Sequence, residues 1–472
     1  MTMKNLLLRI AVLIFLASPA LTFAGPLADQ KLLEFLKKNG ALTEEQVREI
    51  KATLDEEDKQ VAKKQEKKEA REVTAAYDDG LHFRTNDKDF DISLGGLIQT
   101  DFTQFERHYP IKNDFDIRRA RLCISGRLFR DFNFKLEGEF EGARTDRLVD
   151  AYVNYEYFPY IKFQAGQFKE PYSLEQLIAD KNLFFNERSF GYYLTPGRDV
   201  GFMVYGNLLK DSVLYSAGVF NGDGTDAYRR GQANDKQATG RLVIIPFKNF
   251  GPALLSGLQL GGSFTYSNPT TSDFKINIKT PAQTTFFSVA AQTKFNVLQD
   301  IGKLHGMNFD VAYTYGPFAV MGEFFKNNYT RLKYTDTEPF NFSLRAWYVN
   351  MFYMLTGEHP VFKNGLLQGI TPKYNFDVRQ CRWGALGIGL QYQQFSGSPN
   401  VYSYLVEPGD SVRRATSFTV AMNWYLNQMM RISLDYSRTW FSQPLYYGTD
   451  AEGNGYYDEM ENAWVTRFQL AF

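Results

Sequence analysis

The chain closes on Trp464-Val-Thr-Arg-Phe-Gln-Leu-Ala-Phe472, and this stretch alternates. Trp464, Thr466, Phe468, Leu470 and Phe472 share one face, while Val465, Arg467, Gln469 and Ala471 share the other. Successive side chains of a strand point to opposite faces, so one face is greasy and aromatic and the other carries the polar groups. Aromatics at both ends of the apolar face match a lipid-facing strand whose ends meet the two membrane interfaces. An ordinary amphipathic strand of a soluble sandwich alternates in the same way, so the rest of the chain has to decide. In lipid an open strand edge leaves backbone groups unsatisfied. A terminal strand of this kind therefore predicts a closed barrel that it completes.

Composition agrees with a barrel. The 472 residues include 41 Phe and 29 Tyr but only 2 Cys, and mean hydropathy is mildly negative at −0.36. No stretch reaches the roughly 18 apolar residues of a membrane helix. Many aromatics without such a helix fit strands whose alternation hides hydrophobicity from a window average. Lys+Arg and Asp+Glu are both 53, so charge points to no nucleic-acid partner. Residues 1–24 read as an export signal, with Lys4 and Arg9, an apolar run from Ile10 to Ala17, and Thr22-Phe23-Ala24 at the cleavage offsets. Cys123 and Cys381 fall on distant strands, which argues against a disulfide.

Residues 25–80 differ in character from the rest of the mature chain. Leu32, Leu33, Phe35 and Leu36 form a short helical stripe ended by Asn39-Gly40. Thr43 opens a second helix with Gln46 three residues on, a capping box. Val47, Ile50, Leu54 and Val61 have heptad-compatible spacing, which allows a short coiled coil; a solvated single helix or a linker fits the charged remainder as well. Either way this segment is expected outside the membrane, on the periplasmic side.

From Phe90 the period becomes two. Phe90, Ile92, Leu94, Ile98 and Phe102 alternate with Asp91, Ser93, Gln99 and Asp101. On the next strand Ala120, Leu122, Ile124 and Leu128 face out, and Arg119, Arg121, Cys123, Ser125 and Arg127 face in. Continuing in this way predicts an all-β transmembrane antiparallel barrel of about 16 strands over residues 81–472, preceded by the short helical segment. Tight turns at Arg130-Asp131, Phe158-Pro159, Lys210-Asp211, Gly316-Pro317 and Asn427-Gln428 alternate with longer polar loops, as periplasmic turns and extracellular loops do. Two connections break the rule: 143–147 is short for a loop and 357–381 is long for a turn. The apolar stretch 284–297 is placed in a loop, because a seventeenth strand would put the C-terminus on the wrong side.

The chemistry of a pore is its narrowest ring. The stretch 169–198 is too ordered and aromatic for a floppy loop, with a helix-like Ser173–Asp180 and Phe184, Phe185, Tyr192 and Tyr193. Folded inward, it brings Lys169, Lys181 and Arg188 to the lumen together with Glu170, Asp180 and Glu187.

Phe115-Asp-Ile-Arg-Arg-Ala-Arg-Leu-Cys-Ile-Ser-Gly and Phe134-Lys-Leu-Glu-Gly-Glu-Phe resemble the phosphate-selective porin family, of the porin O and porin P type. Gly166-Gln-Phe-Lys-Glu-Pro-Tyr-Ser-Leu-Glu, Asn186-Glu-Arg, Gly218-Val-Phe-Asn-Gly, Thr356-Gly-Glu and Trp383-Gly-Ala-Leu-Gly-Ile-Gly-Leu-Gln-Tyr add to the resemblance, which covers about residues 90–472. It implies a trimeric barrel of the Gram-negative outer membrane in which 169–198 is the constriction loop, arginines line the lumen and Lys181 helps to bind phosphate. The anion-binding candidates are thus Lys181, Arg188, Lys169, Arg119, Arg121 and Arg127. No metal site and no cofactor is expected.

By parity the inward bases are Arg119, Arg121, Arg127, Lys135, Arg241, Arg345, Arg413, Arg431 and Arg467. Ten inward-facing acids by the same count, among them Glu137, Glu139, Asp150 and Glu323, nearly balance them. A mixed lumen fits a general porin as well as a phosphate channel, and Glu137 and Glu139 can neutralise the arginine row across strands. A barrel enzyme would need a nucleophile with a base beside it, and His82, His108, His305 and His359 lie at strand ends or in loops without such partners. A third reading makes the helical segment an envelope tether that the barrel anchors.

Overall fold

The computed structural model describes residues 33–77, 80–106, 113–142, 148–222, 236–269, 274–290, 297–335, 338–400, 411–449 and 452–472. The expected export signal and the connection 143–147 lie outside these residues. The chain divides into two units, one reaching to Thr74 with Thr85–Asp87 and one holding the rest.

In the first unit a helix over 33–38 stops at Asn39-Gly40. Gly40 sits at φ +65°, where a side chain would be strained, and the Ala41 amide returns to the Leu36 carbonyl at 3.0 Å. Helix α1, Glu44–Ala70, begins with the expected capping box: Gln46 N donates to Thr43 Oγ1 at 3.3 Å and Thr43 N to Gln46 Oε1 at 3.1 Å.

The second unit is a closed antiparallel barrel of 16 strands. They are β1 Phe90–Phe105, β2 Asp114–Leu128, β3 Phe132–Glu139, β4 Leu148–Phe158, β5 Ile161–Lys169, β6 Arg198–Leu208, β7 Val213–Phe220 and β8 Gln237–Ile244, then β9 Gln259–Ser267, β10 Leu304–Tyr315, β11 Phe318–Tyr334, β12 Phe340–Met354, β13 Ala385–Gly397, β14 Arg414–Tyr425, β15 Met430–Thr449 and β16 Gly455–Ala471. Each pairs with the next, and β16 returns to β1 from Ala463 opposite Phe105 to Ala471 opposite Leu97. The chain end continues the seam, with Gly96 N donating to Phe472 O at 2.7 Å. Among the described residues the sixteen strands thus form a closed ring in which each pairs on both sides, as a lipid-embedded sheet requires.

Outside and inside are chemically inverted relative to a soluble protein. Leu122, Ile124, Leu136, Val153, Phe202, Phe264, Phe309, Val349, Leu390, Val420 and Phe468 are exposed, while Gln99, Asp101, Asn154, Gln164, Asn308, Glu323, Gln391, Asn423 and Arg467 are buried. That is the pattern of a barrel solvated by lipid without and polar within.

Three segments fold into the lumen or over its loop end. The first is 170–197, between β5 and β6. The second is the hairpin Lys275–Lys279 with Thr285–Ala290, which pairs with itself and not with the barrel wall, so the stretch at 284 belongs to a loop as expected. The third is the long turn after β12, whose small hairpin Phe362–Lys363 with Leu366–Leu367 rises inside: Gly365 O accepts from Gln259 Nε2 on β9 at 3.1 Å. These segments turn half of the barrel interior into a core, in which the Phe184 and Phe352 rings stack at 4.3 Å and Phe190 meets Phe286 at 4.9 Å.

The packed interior corrects two of the parity assignments. Phe342, Leu344, Ala346, Tyr348, Phe352 and Met354 are the inward residues of β12, so Arg345 faces out and is exposed. With apolar side chains packed on the inner face, polarity no longer tells the lumen from the exterior. Arg413 precedes β14 and its guanidinium Nε reaches Gly397 O at 3.4 Å. The last hairpin also runs further than its sequence suggests, because β15 and β16 stay paired to Thr449 and Gly455 through two register shifts.

Candidate functional site

The loop 170–197 crosses the lumen from β5 and packs on the opposite wall. Its one α-turn, Leu174–Leu177, is capped by Ser173 Oγ, which accepts from Gln176 N at 3.1 Å. Glu323 of β11 receives the same end: Ser173 Oγ, Leu174 N and Glu175 N donate to its carboxylate at 3.0, 3.0 and 2.7 Å. Asn308 Nδ2 and Tyr348 OH complete its shell, both at 2.8 Å. The free amides of a helix start favour a carboxylate, so a wall residue fixes the loop's first turn. Further along, Phe190 N donates to Gln393 Oε1 at 2.7 Å, Asn186 N to Asp435 at 2.8 Å, and Asn423 Nδ2 to Phe184 O at 2.8 Å. At Gly191 a β-carbon would lie 2.1 Å from the Phe325 ring, so only glycine lets the loop come this close to the wall.

Two loop carboxylates collect the wall arginines. Asp180 pairs with Arg121 at 2.6 Å, with Arg119 at 3.6 Å and with Arg188 of the loop itself. Burial pushes the Asp180 carboxyl up, but Arg119, Arg188 and Arg121 together hold it well below the usual carboxylate range. Glu187 takes a bidentate pair from Arg118 at 2.8 and 2.9 Å and a third bond from Arg467 at 2.7 Å. Against its burial, Arg118 and Arg467 bring its carboxyl far down.

Arg118 was not among the expected residues. A register shift between Gln99 and Thr100 of β1 places Arg119 opposite Gln99 but Ile117 opposite Thr100, leaving Arg118 as the extra residue of a β-bulge. The sequence carries the signal, since the outward apolar residues fall at odd numbers in Phe115 and Ile117 and at even numbers in Leu122 and Ile124.

What stays open is a cavity of about 670 Å³ between the loop and the wall made by β1–β8. Its ionisable acidic and basic lining comprises Arg121, Lys135, Lys162, Lys169, Lys181, Arg198 and Arg241 with Glu137, Glu156, Asp150 and Asp180. Most of these charges cancel within the wall. Arg121 holds Glu139 at 2.6 Å, Lys135 holds Asp150 at 2.8 Å, Arg198 holds Asp150 at 2.7 Å, Lys162 holds Glu156 at 3.5 Å, and Arg241 holds Asp310 at 2.6 Å.

Of the six expected residues, Lys181, Lys169 and Arg121 line this cavity. Arg119 is buried, donating to Gln99 Oε1 at 2.7 Å. Arg188 is buried in the loop, donating to Ile178 O at 2.8 Å and Glu175 O at 3.1 Å. Arg127 is exposed near the turn end of β2 and donates to Asn133 at 3.3 Å. Lys169 Nζ donates to Ile178 O at 2.9 Å. Among the described residues, neither Lys169 nor Lys181 has a carboxylate within ion-pair distance.

Residues 92–472 match the family described as phosphate-selective porin O and P. The chain belongs to the phosphate-selective porin O and P family. It is 25% identical over 430 residues to Porin O of Pseudomonas aeruginosa, spanning 83% of this chain and 91% of that protein. Among solved structures it is similar to a loop L8 deletion mutant of OmpT, an outer membrane protein of Vibrio cholerae, with TM-score 0.50 and 12% identity over 81% of this chain and 100% of that one. This member of the porin O and P family is an outer-membrane channel protein, and its loop 170–197 narrows the lumen. The hairpin around Gly365, which also borders the cavity, had no signal in the sequence beyond the unusual length of its turn.

Proposed function

We propose that the channel passes small hydrophilic anions, phosphate among them, by passive diffusion along the cavity between the loop and β1–β8, and that Lys181 and Lys169 are its anion-contacting side chains. The observation that carries this reading is the charge pairing. The arginines and other lysines of the lining are held by carboxylates, so among the described residues Lys181 supplies the surplus positive charge, with Lys169 beside it as a donor. In a narrow, partly desolvated passage one charge changes ion energies far more than it does in water. An ammonium on a flexible stem binds phosphate as a point charge and lets it go again, as conduction requires.

The family resemblance supports assembly as a homotrimer. The chain enters β1 at the end that carries the tight turns, which supports a periplasmic place for the helical segment at 25–80 ahead of a barrel domain at 81–472; the charged start, apolar run and small residues of 1–24 support an export signal. The barrel's work is conduction and not enzymatic turnover. His82, for one, is engaged with Asp91 at 2.8 Å, a carboxylate that Arg84 also holds at 2.8 Å.

Planar-bilayer recording tests the reading. With a KCl gradient the reversal potential should show anion preference, phosphate should reduce the chloride current, and Lys181→Glu should move the potential toward cations. An unchanged potential in that variant removes Lys181 from the pathway. A shifted potential without phosphate block leaves a general anion channel.

A further inference from the structure

The outer face of the barrel changes character along one line. On β12 the outward side chains run Tyr353, Met351, Val349 and Trp347, then switch to Arg345 and Ser343. On β13 Ile388, Leu390 and Tyr392 give way to Gln394 and Ser396. On β14 Met422, Val420 and Phe418 give way to Thr416 and Arg414. Register puts the polar residues in one row: Lys326 lies opposite Arg345, Arg345 opposite Ser396, and Ser396 opposite Arg414. β15 joins the row, since Arg414 N donates to Ser442 Oγ at 3.1 Å.

A pocket of about 470 Å³ opens here, lined by Arg345, Arg413 and Arg414 with the hydroxyls of Ser343, Ser396 and Ser442. Among the described residues no carboxylate pairs with Lys326 or with any of the three arginines. Just below, on the exterior, the Trp347 and Tyr392 rings meet at 5.4 Å. Such aromatics mark the level at which hydrocarbon gives way to headgroups. The pocket therefore faces the headgroup layer at the loop end of the barrel, with the wall between it and the lumen.

We propose that this exterior pocket binds a phosphate group of a membrane lipid headgroup in the leaflet on the loop side. Guanidinium forks match phosphate oxygens in geometry and charge, and serine hydroxyls complete the donor set. Three arginines gathered at the lipid boundary with no carboxylate among the described residues paired to them repel one another, and an anion between them relieves that repulsion. The lipid is favoured over free phosphate as the source because the pocket opens beside the aromatic belt, where a headgroup is held at high local concentration by its own acyl chains.

The test uses the whole trimeric or monomeric protein purified from outer membranes in detergent, with lipid retention read by native mass spectrometry. The probe is diphosphorylated lipid A, compared with a neutral glycolipid of similar chain number. Wild type should retain the phosphorylated probe and release the neutral one. Arg345→Ser with Arg414→Ser should weaken retention by about tenfold or more, given the usual worth of charge-assisted hydrogen bonds. Arg130→Ser, at the opposite end of the barrel, should retain it as wild type does. Heat-modifiability on gels checks that each variant is folded, and both substituted arginines lie outside the packed interior. Equal retention by wild type and the double variant overturns the proposal, as does equal retention of the neutral probe. Complete displacement by an excess of inorganic phosphate would assign the pocket to the free anion and overturn the lipid as its source.

Discussion

Arg467 and Asp101 face each other across the seam where the last strand meets the first, joined by two hydrogen bonds of 2.6 Å each. The same guanidinium reaches Glu187 and the Asn186 carbonyl, so one side chain closes the barrel and holds its inner loop. Arg467→Ala leaves Asp101 without its guanidinium and Glu187 with one arginine fewer. Breaking a buried pair in this way costs about 3–5 kcal/mol. The heat-modification midpoint should fall clearly in this variant, and Asp101→Asn added to it should restore part of the loss. A midpoint equal to wild type would show that the seam does not depend on the pair.

Glu323→Gln is nearly isosteric but can no longer accept five donors. Each orphaned buried donor costs about 1–3 kcal/mol, so the start of the loop should loosen while the barrel stays folded. Single-channel records should show open-state noise absent from wild type, and amides of 173–175 should exchange faster with deuterium. Quiet records with unchanged exchange would mean that the aromatic contacts alone secure the loop.

Glu175 gives the loop a pH dependence. Burial, and then repulsion from Glu323, raise its carboxyl from 4.5 to about 7. A carboxyl raised in the folded state favours folding when protonated. Its contribution is therefore present below about pH 4.5 and is lost as the pH rises toward about 7. Protection of the amides of 174–189, corrected for intrinsic exchange, should fall from pH 5 to pH 8, and Glu175→Gln should flatten that fall. A wild-type profile already flat over this interval would count against the shift.

The closing strand should be required for assembly. Changing Leu470 and Phe472 together to Asp places two charges on the lipid side of the seam, where Phe472 covers Gly96 with ring atoms 2.6 Å from a β-carbon built there. The variant should collect in the periplasm, as cell fractionation would show. Normal outer-membrane levels would mean that β16 inserts without its apolar edge.

The barrel was legible because lipid imposes a strict rule: apolar residues outside at every second position, as in Trp464 to Phe472. Where the interior is water the rule reads cleanly, and Lys135, Glu137 and Asp150 fell where parity put them. It failed at Arg345, because the inner face of β12 packs on protein and is itself apolar. It failed at Arg118, because a single bulge shifts the phase. The arginine row was visible, but its use was not, because Asp180 and Glu187 reach it only through a fold of the intervening loop. Lys181 could be placed in the passage by the resemblance; that it alone with Lys169 escapes pairing among the described residues of the lining depends on distances no spacing encodes.

The inner segments from both ends meet within the barrel, where Asn182 Nδ2 donates to Leu367 O at 3.4 Å. The two halves of the wall are therefore under different kinds of selection. Inward substitutions on β9–β16 alter a packed interior and will be paid in folding yield. Those on β1–β8 that line the cavity meet water and solute, and there a change of charge is tolerated where the residue is not, like Asp101 or Arg121, paired with a buried partner. A lineage could thus change what it imports by altering one side of the tube, with the opposite side held constant as the mould that keeps the passage narrow.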